Sequence, residues 1–189
     1  MNIEIKELDI NNLELLNESL NMMNRTQGEG LFNQDYLLKK ANSIDAIVLC
    51  AFLQNKLVGV GCAEIINNLD YYKPFDRNIA KRLKDKKIGS LCSLCVNEDL
   101  QGKGIGQTIT KKCIDCLKNK GCDLVLGVSW ISGLSHTSNR VFEKIGFKPI
   151  KEVKEFYKND SIEHPFNCPG CKTQPCTCSA TLYEYHFKE

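Results

Sequence analysis

Ile3-Glu-Ile-Lys-Glu-Leu8 alternates apolar and polar residues, which predicts a strand with one buried face. The period then changes. Leu13, Leu15, Leu16, Leu20 and Met23 recur at helical spacing over 12–25, and Gly28-Glu-Gly30 breaks the run. A second short helix is expected from Asn33, its N-cap, to Ala41, with Tyr36, Leu37 and Leu38 inside it. Ala46–Leu53 and Lys56–Ile66 read as strands joined by a hairpin turn at Gln54-Asn55. Residues 70–87 carry less pattern. Asp76 is a candidate cap for a short helix. The basic run Lys81, Arg82, Lys84, Lys86 and Lys87 reads as a solvated face or as a lid or contact for an anion.

Ile88–Val96 is a further strand. After it comes Gln101-Gly-Lys-Gly-Ile-Gly106, then a helix to about Asn119 with an apolar stripe of Ile105, Ile109, Cys113, Cys116 and Leu117, ended by Gly121. Asp123–Ser129 is expected as strand, Ser138–Ile145 as a helix stopped by Gly146, Phe147 to about Tyr157 as strand, and Thr181–Phe187 as the last strand. No internal repeat and no domain-separating linker interrupts this order, which describes mixed α/β structure around one sheet.

Composition narrows the setting. A chain of 189 residues is long enough for one domain with its own core. Its net charge of +2 gives no ground for binding nucleic acid or an anionic membrane. No apolar stretch approaches bilayer-spanning length, and MNIEIKELDINN lacks a signal-peptide pattern. The expectation is a cytoplasmic protein with no membrane partner and reduced thiols. Eleven cysteines are an odd number and cannot all pair within one chain.

Seven of them, Cys50, Cys62, Cys92, Cys95, Cys113, Cys116 and Cys122, read as small core residues. Cys92 and Cys95 look like a metal-binding pair, but residues three apart on a strand point to opposite faces. Asn167-Cys-Pro-Gly-Cys-Lys-Thr-Gln-Pro-Cys-Thr-Cys178 is different. Cys168, Cys171, Cys176 and Cys178 offer four thiolates, enough for a closed tetrahedral zinc site, with His164 able to replace one. The spacing is tighter than in a zinc ribbon. An iron–sulfur cluster, a redox pair and free thiols stay open beside zinc. Only Lys172 is basic between Asn167 and Ser179, and no residue there is aromatic, so a nucleic-acid knuckle is poorly supplied.

A strand, a glycine-rich turn and a helix N-terminus together make an anion site, because the first helical N–H groups lack partners and the dipole attracts phosphate. The sequence is G-x-G-x-G, which is neither the dinucleotide fingerprint nor a P-loop. Gln101, Gly104 and Gly106 give Q-x-x-G-x-G instead. With Leu94-Cys-Val96 before it and Ser138-Asn-Arg-Val-Phe-Glu-Lys-Ile-Gly-Phe147 after it, the chain resembles the GNAT superfamily of acyl-CoA N-acyltransferases over about 150 residues.

The resemblance implies an α/β (α+β) single domain, 1–189, with a mixed central sheet, helices on both faces and the Cys-rich insertion, 159–179, between the last two strands. It implies that the N–H groups of Gly102, Lys103, Gly104, Ile105, Gly106 and Gln107 hold the pyrophosphate of acetyl-CoA. The main chain of Leu94, Cys95 and Val96 would pair with pantetheine, and Asn139 would contact pantetheine or the acyl region. The expected reaction is direct attack of a primary amine, on a small molecule or a peptide, upon the thioester.

Two positions depart from the family. Phe142, in the cofactor region, stands where a Tyr acid is frequent, and Ser90 stands near where some members carry Glu. A CoA thiol, with a pKa of about 8.5 like free Cys, can leave unaided. Glu64 is then the leading base, with Tyr157, Tyr183 and His136 as further candidates, and Tyr71, Tyr72, Phe75 and Trp130 as possible pocket walls. The alternative is an acyl-CoA sensor or scaffold without turnover. A structural zinc shaping the acceptor pocket, and a monomer or homodimer, complete the expectation.

Overall fold

The computed structural model describes residues 2–133 and 138–187. Seven strands form one sheet: β1 (Glu4–Glu7), β2 (Ala46–Leu53), β3 (Lys56–Ile66), β4 (Ile88–Val96), β5 (Leu124–Ile131), β6 (Lys148–Val153) and β7 (Ser179–His186), in the order β1-β2-β3-β4-β5-β7-β6. All pairs are antiparallel except β4 with β5. Two sides are covered. Helices α1 (Leu13–Gln27) and α2 (Gln34–Ala41) bury Leu16, Met23 and Leu37 against Val48, Val60 and Cys62. On the other side α4 (Ile105–Asn119) and α5 (Ser138–Ile145) bury Ile109, Leu117 and Phe142 against Leu49, Ala63 and Val125. Short helices α3 (Ile79–Arg82) and α6 (Lys158–Glu163) complete the fold.

Local chemistry explains the element limits. Asn12 and Asn33 cap α1 and α2, each side chain accepting the N–H three residues on, at 3.0 and 2.8 Å. Gln54 and Asn55 both take positive φ, the two-residue hairpin their sequence predicts. Gly59 and Gly61 on β3 let α4 approach closely, since a Cβ at either would meet Ile109 at 2.6 or 2.3 Å.

The structure corrects four readings of the pattern. Chain predicted as strand to about Tyr157 leaves the sheet at Val153, and residues 158–163 form α6. Asp76 does not cap α3. It accepts from the Asn78 N–H and from Arg82 at 2.9 Å each. Within the basic run, Arg82 is structural: its guanidinium lies 2.6 Å from Glu184, a buried carboxylate on β7. Finally, Cys92 and Cys95 do not face opposite ways. A bulge in the β3–β4 ladder pairs Cys62 with Ser93 and then Ala63 with Leu91, skipping Cys92. The skipped residue shifts the alternation, so both thiols pack under α1 and α2.

Candidate active site

The parallel rungs between β4 and β5 run only from Ile88–Leu124 to Leu91–Gly127. Beyond them β4 keeps β3 as its neighbour, and its other edge, Cys92–Val96, faces a cleft of about 1050 Å³. The separation leaves strand N–H and C=O groups without a ladder partner on that side, an extended polar edge ready for another extended chain.

At the end of this edge the chain turns into α4. Gln101 holds the turn by donating to the Val96 carbonyl at 3.1 Å. Gly102 and Gly104 take φ of +75° and +87°, a region costly for any residue with a Cβ. No side chain caps α4, and the first helical bond comes from Thr108 to the Gly104 carbonyl. The N–H groups of Ile105, Gly106 and Gln107 are therefore available to an anion at the positive dipole end. The Ile105 side chain is buried in the core, so it offers the main chain alone. Lys103 folds back, its ammonium on the Asp99 carbonyl at 3.1 Å. Leu94, Cys95, Val96, Gln101 and Phe142 all line the cleft, while Asn139 stands half-buried near the start of α5. The Phe142 ring stacks on Phe147 with 4.9 Å between centroids and abuts Gly127, where a Cβ would meet it at 2.9 Å.

The opposite end of the cleft is assembled from distant segments. Glu64 is half-buried there, ion-paired with Lys40 from α2 and accepting the Cys92 thiol at 3.4 Å. Across the ladder from Glu64 stands Ser90, whose hydroxyl bonds the Tyr72 phenol at 2.7 Å. Burial pushes the Tyr72 and Tyr157 phenols up, so both stay protonated at neutral pH and act as donors, not bases. Tyr71, Trp130 and Tyr157 line this end too, whereas Phe75 is core. Tyr183 lies outside the cleft wall, donating to Glu143 at 3.0 Å. His136 falls outside the described residues.

The four clustered cysteines close this end. Their sulfurs all lie within 4.8 Å of one another, with Cys168–Cys178 at 3.7 Å and Cys171–Cys176 at 3.6 Å. Tetrahedral zinc with Zn–S of about 2.3 Å separates its sulfurs by about 3.8 Å, so the donor set fits one ion. A disulfide would need about 2.05 Å, and a polynuclear cluster would hold its thiolates farther apart. The knuckle is tied on three sides. The Cys176 backbone N–H donates to the Ser161 hydroxyl on α6 at 2.8 Å. Gly170 packs so closely on Trp130 and Ser132 that a Cβ would meet either at 2.5 Å. Asn167 exchanges backbone hydrogen bonds with Glu29 of the α1–α2 loop, at 3.0 and 3.2 Å, while Phe166 packs against Gly28. Cys168, Pro169, Lys172 and Cys176 line the same cleft as Glu64.

The scattered thiols form no such cluster among the described residues. Burial raises Cys50 to about 11 and Cys95 to about 12, as expected of unreactive core residues. The structure places Glu64, a sequence candidate, in the cleft, and beside it Lys40 and the Tyr72–Ser90 bond, which the sequence reading did not single out. No local signal marks either, because each contact joins elements at least 18 residues apart.

Residues 13–147 match the model of the Acetyltransferase (GNAT) family. The match spans well over half of the chain, and the protein belongs to that family. Comparison with curated proteins gave no match. Among solved structures, a chain of the NatC complex bound to Gag peptide and CoA superposes with a TM-score of 0.71 at 14% identity, covering all of both chains. Arabidopsis thaliana NAA60 in complex with a bisubstrate analogue gives 0.69 at 12% identity over 98% of each chain. A Bacillus subtilis acetyltransferase in complex with CoA gives 0.64 at 14%, covering 99% of this chain and all of that one. At such identities the likeness establishes the fold. No helix among the described residues is long and apolar enough to cross a membrane.

Proposed function

We propose that the protein transfers the acetyl group of acetyl-CoA to a primary amine by direct attack. The observation that carries this reading is the parting of β4 from β5 beside an uncapped helix N-terminus. That arrangement offers a strand edge for pantetheine and N–H groups for pyrophosphate in one continuous run from Leu94 to Gln107. The CoA in two of the similar structures supports the choice of cofactor.

The amine enters on the side of the sheet that carries α1 and α2, because Lys40 of α2 reaches Glu64 there and Ser90 and Tyr72 line the same cleft. Its nitrogen attacks the thioester carbonyl, and Glu64, directly or through water, removes the proton. The carbonyl oxygen gains charge next to the free N–H groups of the β4 edge. Phe142 offers no proton, so the thiolate leaves unaided and is protonated from water. Tyr157 donates a hydrogen bond to the acceptor and takes no proton from it.

Cys168, Cys171, Cys176 and Cys178 would hold a structural zinc, which would supply no chemistry, since all four residues would serve as its ligands. Its binding energy orders the excursion between β6 and β7. The Glu29–Asn167 bonds tie the knuckle to the α1–α2 loop, so that metal binding by the four cysteines would order two walls of the acceptor end. A peptide or small amine acceptor suits this end. The Gag peptide in the NatC structure supports a peptide.

The test is transfer of labelled acetyl from acetyl-CoA to a pool of small amines and a pool of peptides, with reduced, zinc-loaded protein. Label in either pool is expected. Acetyl-CoA binding without label in any amine would favour the sensor reading.

A further inference from the structure

The cleft already contains an amine. Lys40, near the end of α2, reaches Glu64 with its ammonium, and its side chain is only 17% exposed. The Tyr36 ring lies 5.6 Å below the same nitrogen. The second Glu64 oxygen accepts the thiol of Cys92, the first β4 residue past the last rung with β5. One carboxylate therefore separates a fixed lysine nitrogen from the strand edge that would carry the acetyl thioester. A nucleophile bonded to a base, with the base oriented by a third group, is the arrangement that group transfer requires.

We propose that Lys40 is an acetylation site of the protein's own active site, modified within the same chain. The inference rests on the acetyltransferase reading above. Of the two nucleophiles bonded to Glu64, Cys92 is the poorer. Burial raises its thiol and the Glu64 charge adds to this, against the Lys40 ammonium, to about 12, so almost no thiolate forms at neutral pH. Lys40 can use Glu64 directly. The ammonium passes one proton to Glu64, and the freed nitrogen bonds to the thioester carbonyl carbon. The carbon–sulfur bond breaks with its electron pair on sulfur, and the nitrogen loses its second proton. One proton returns to the thiolate and one goes to water. The net change is ammonium plus acetyl-CoA giving N-acetyl-lysine, CoA thiol and one proton.

The product alters the site. An acetylated Lys40 carries no charge and no longer pairs with Glu64. The carboxylate is then free to accept the proton of an incoming amine. Before acetylation, Lys40 competes with every acceptor ammonium for the same two oxygens. The modification thus primes the acceptor site, and the first turnover of each molecule is spent on itself.

The experiment incubates the 189-residue, zinc-loaded protein with acetyl-CoA at neutral pH without acceptor, and follows intact mass and the modified peptide. One acetyl group at Lys40 is expected, at a rate independent of protein concentration and suppressed by desulfo-CoA. Glu64→Gln should slow the labelling about 100-fold. Lys40→Gln, which imitates the acetylated side chain, should transfer to added amines without the initial lag of the unmodified protein. Acetyl groups spread over exposed lysines, untouched by desulfo-CoA, would mean solution chemistry and overturn the proposal. So would turnover on an added amine with Lys40 unmodified, which leaves the transferase reading standing. Absence of acetyl-CoA binding would remove both.

Discussion

The two ends of the cleft are built on opposite principles. The end proposed for acetyl-CoA comes from one contiguous stretch, Leu94 to Gln107, and offers main-chain groups: a strand edge, two glycines at positive φ and an uncapped helix start. The end proposed for the acceptor collects side chains from Lys40, Glu64, Tyr72, Ser90, Tyr157 and the cysteine knuckle, spread over more than 130 residues. A main-chain site depends on backbone shape and tolerates changes of side chain. A side-chain site depends on long-range packing, and here on the four clustered cysteines that close it as well. The first end should therefore hold its ligand when the second is disrupted.

The largest expected effect separates the ends outright. Removing zinc with a chelator, or replacing Cys176 with Ser, should cut kcat/KM for the acceptor by about 100-fold or more, as the knuckle and the α1–α2 loop lose their order. Acetyl-CoA affinity, measured by calorimetry, should stay within about twofold, below the tenfold that 1.4 kcal/mol represents. Parallel loss of both would show that the ends are one unit. Glu64→Gln comes next, lowering kcat about 100-fold, the scale of general-base catalysis, with acetyl-CoA affinity intact. Unchanged turnover would remove Glu64 from the mechanism.

Gly104→Ala acts on the other end. A Cβ there meets nothing within 4 Å, so the cost is purely conformational, about 1–2 kcal/mol for a residue held at left-handed φ. The expected result is weaker acetyl-CoA binding, up to about tenfold, with an unchanged KM for the amine. A larger change in the amine KM would contradict the division. The smallest effect is that of Tyr72→Phe, which removes a buried hydrogen bond and should cost about 1 kcal/mol of stability by denaturant titration. Because burial already keeps that phenol protonated, the substitution should leave the shape of the pH–rate profile unchanged.

The same division governs what could be read from the sequence. Q-x-x-G-x-G at 101–106 marks the glycine turn and uncapped helix start that the structure shows, because both lie within one short stretch. The four knuckle cysteines were legible for a similar reason: they lie within eleven residues, and turn residues separate them. Alternation failed at Cys92, since a bulge is set by the partner strand and carries no mark in its own strand. Arg82 looked like one charge in a solvated run, yet Glu184, 102 residues away, holds it. Lys40 resembled any helix-surface lysine, and only the packing of α2 on the sheet brings it to Glu64. Long-range pairing thus hid much of the acceptor end that local pattern revealed so readily at the other.

The most direct test of the account measures acetyl transfer and acetyl-CoA binding side by side, on reduced protein with zinc and after its removal. Labelled amine or peptide is predicted with zinc present, and loss of label with cofactor binding retained once zinc is gone. Transfer that continues unchanged in the metal-free protein would contradict the account, as would loss of cofactor binding together with the metal.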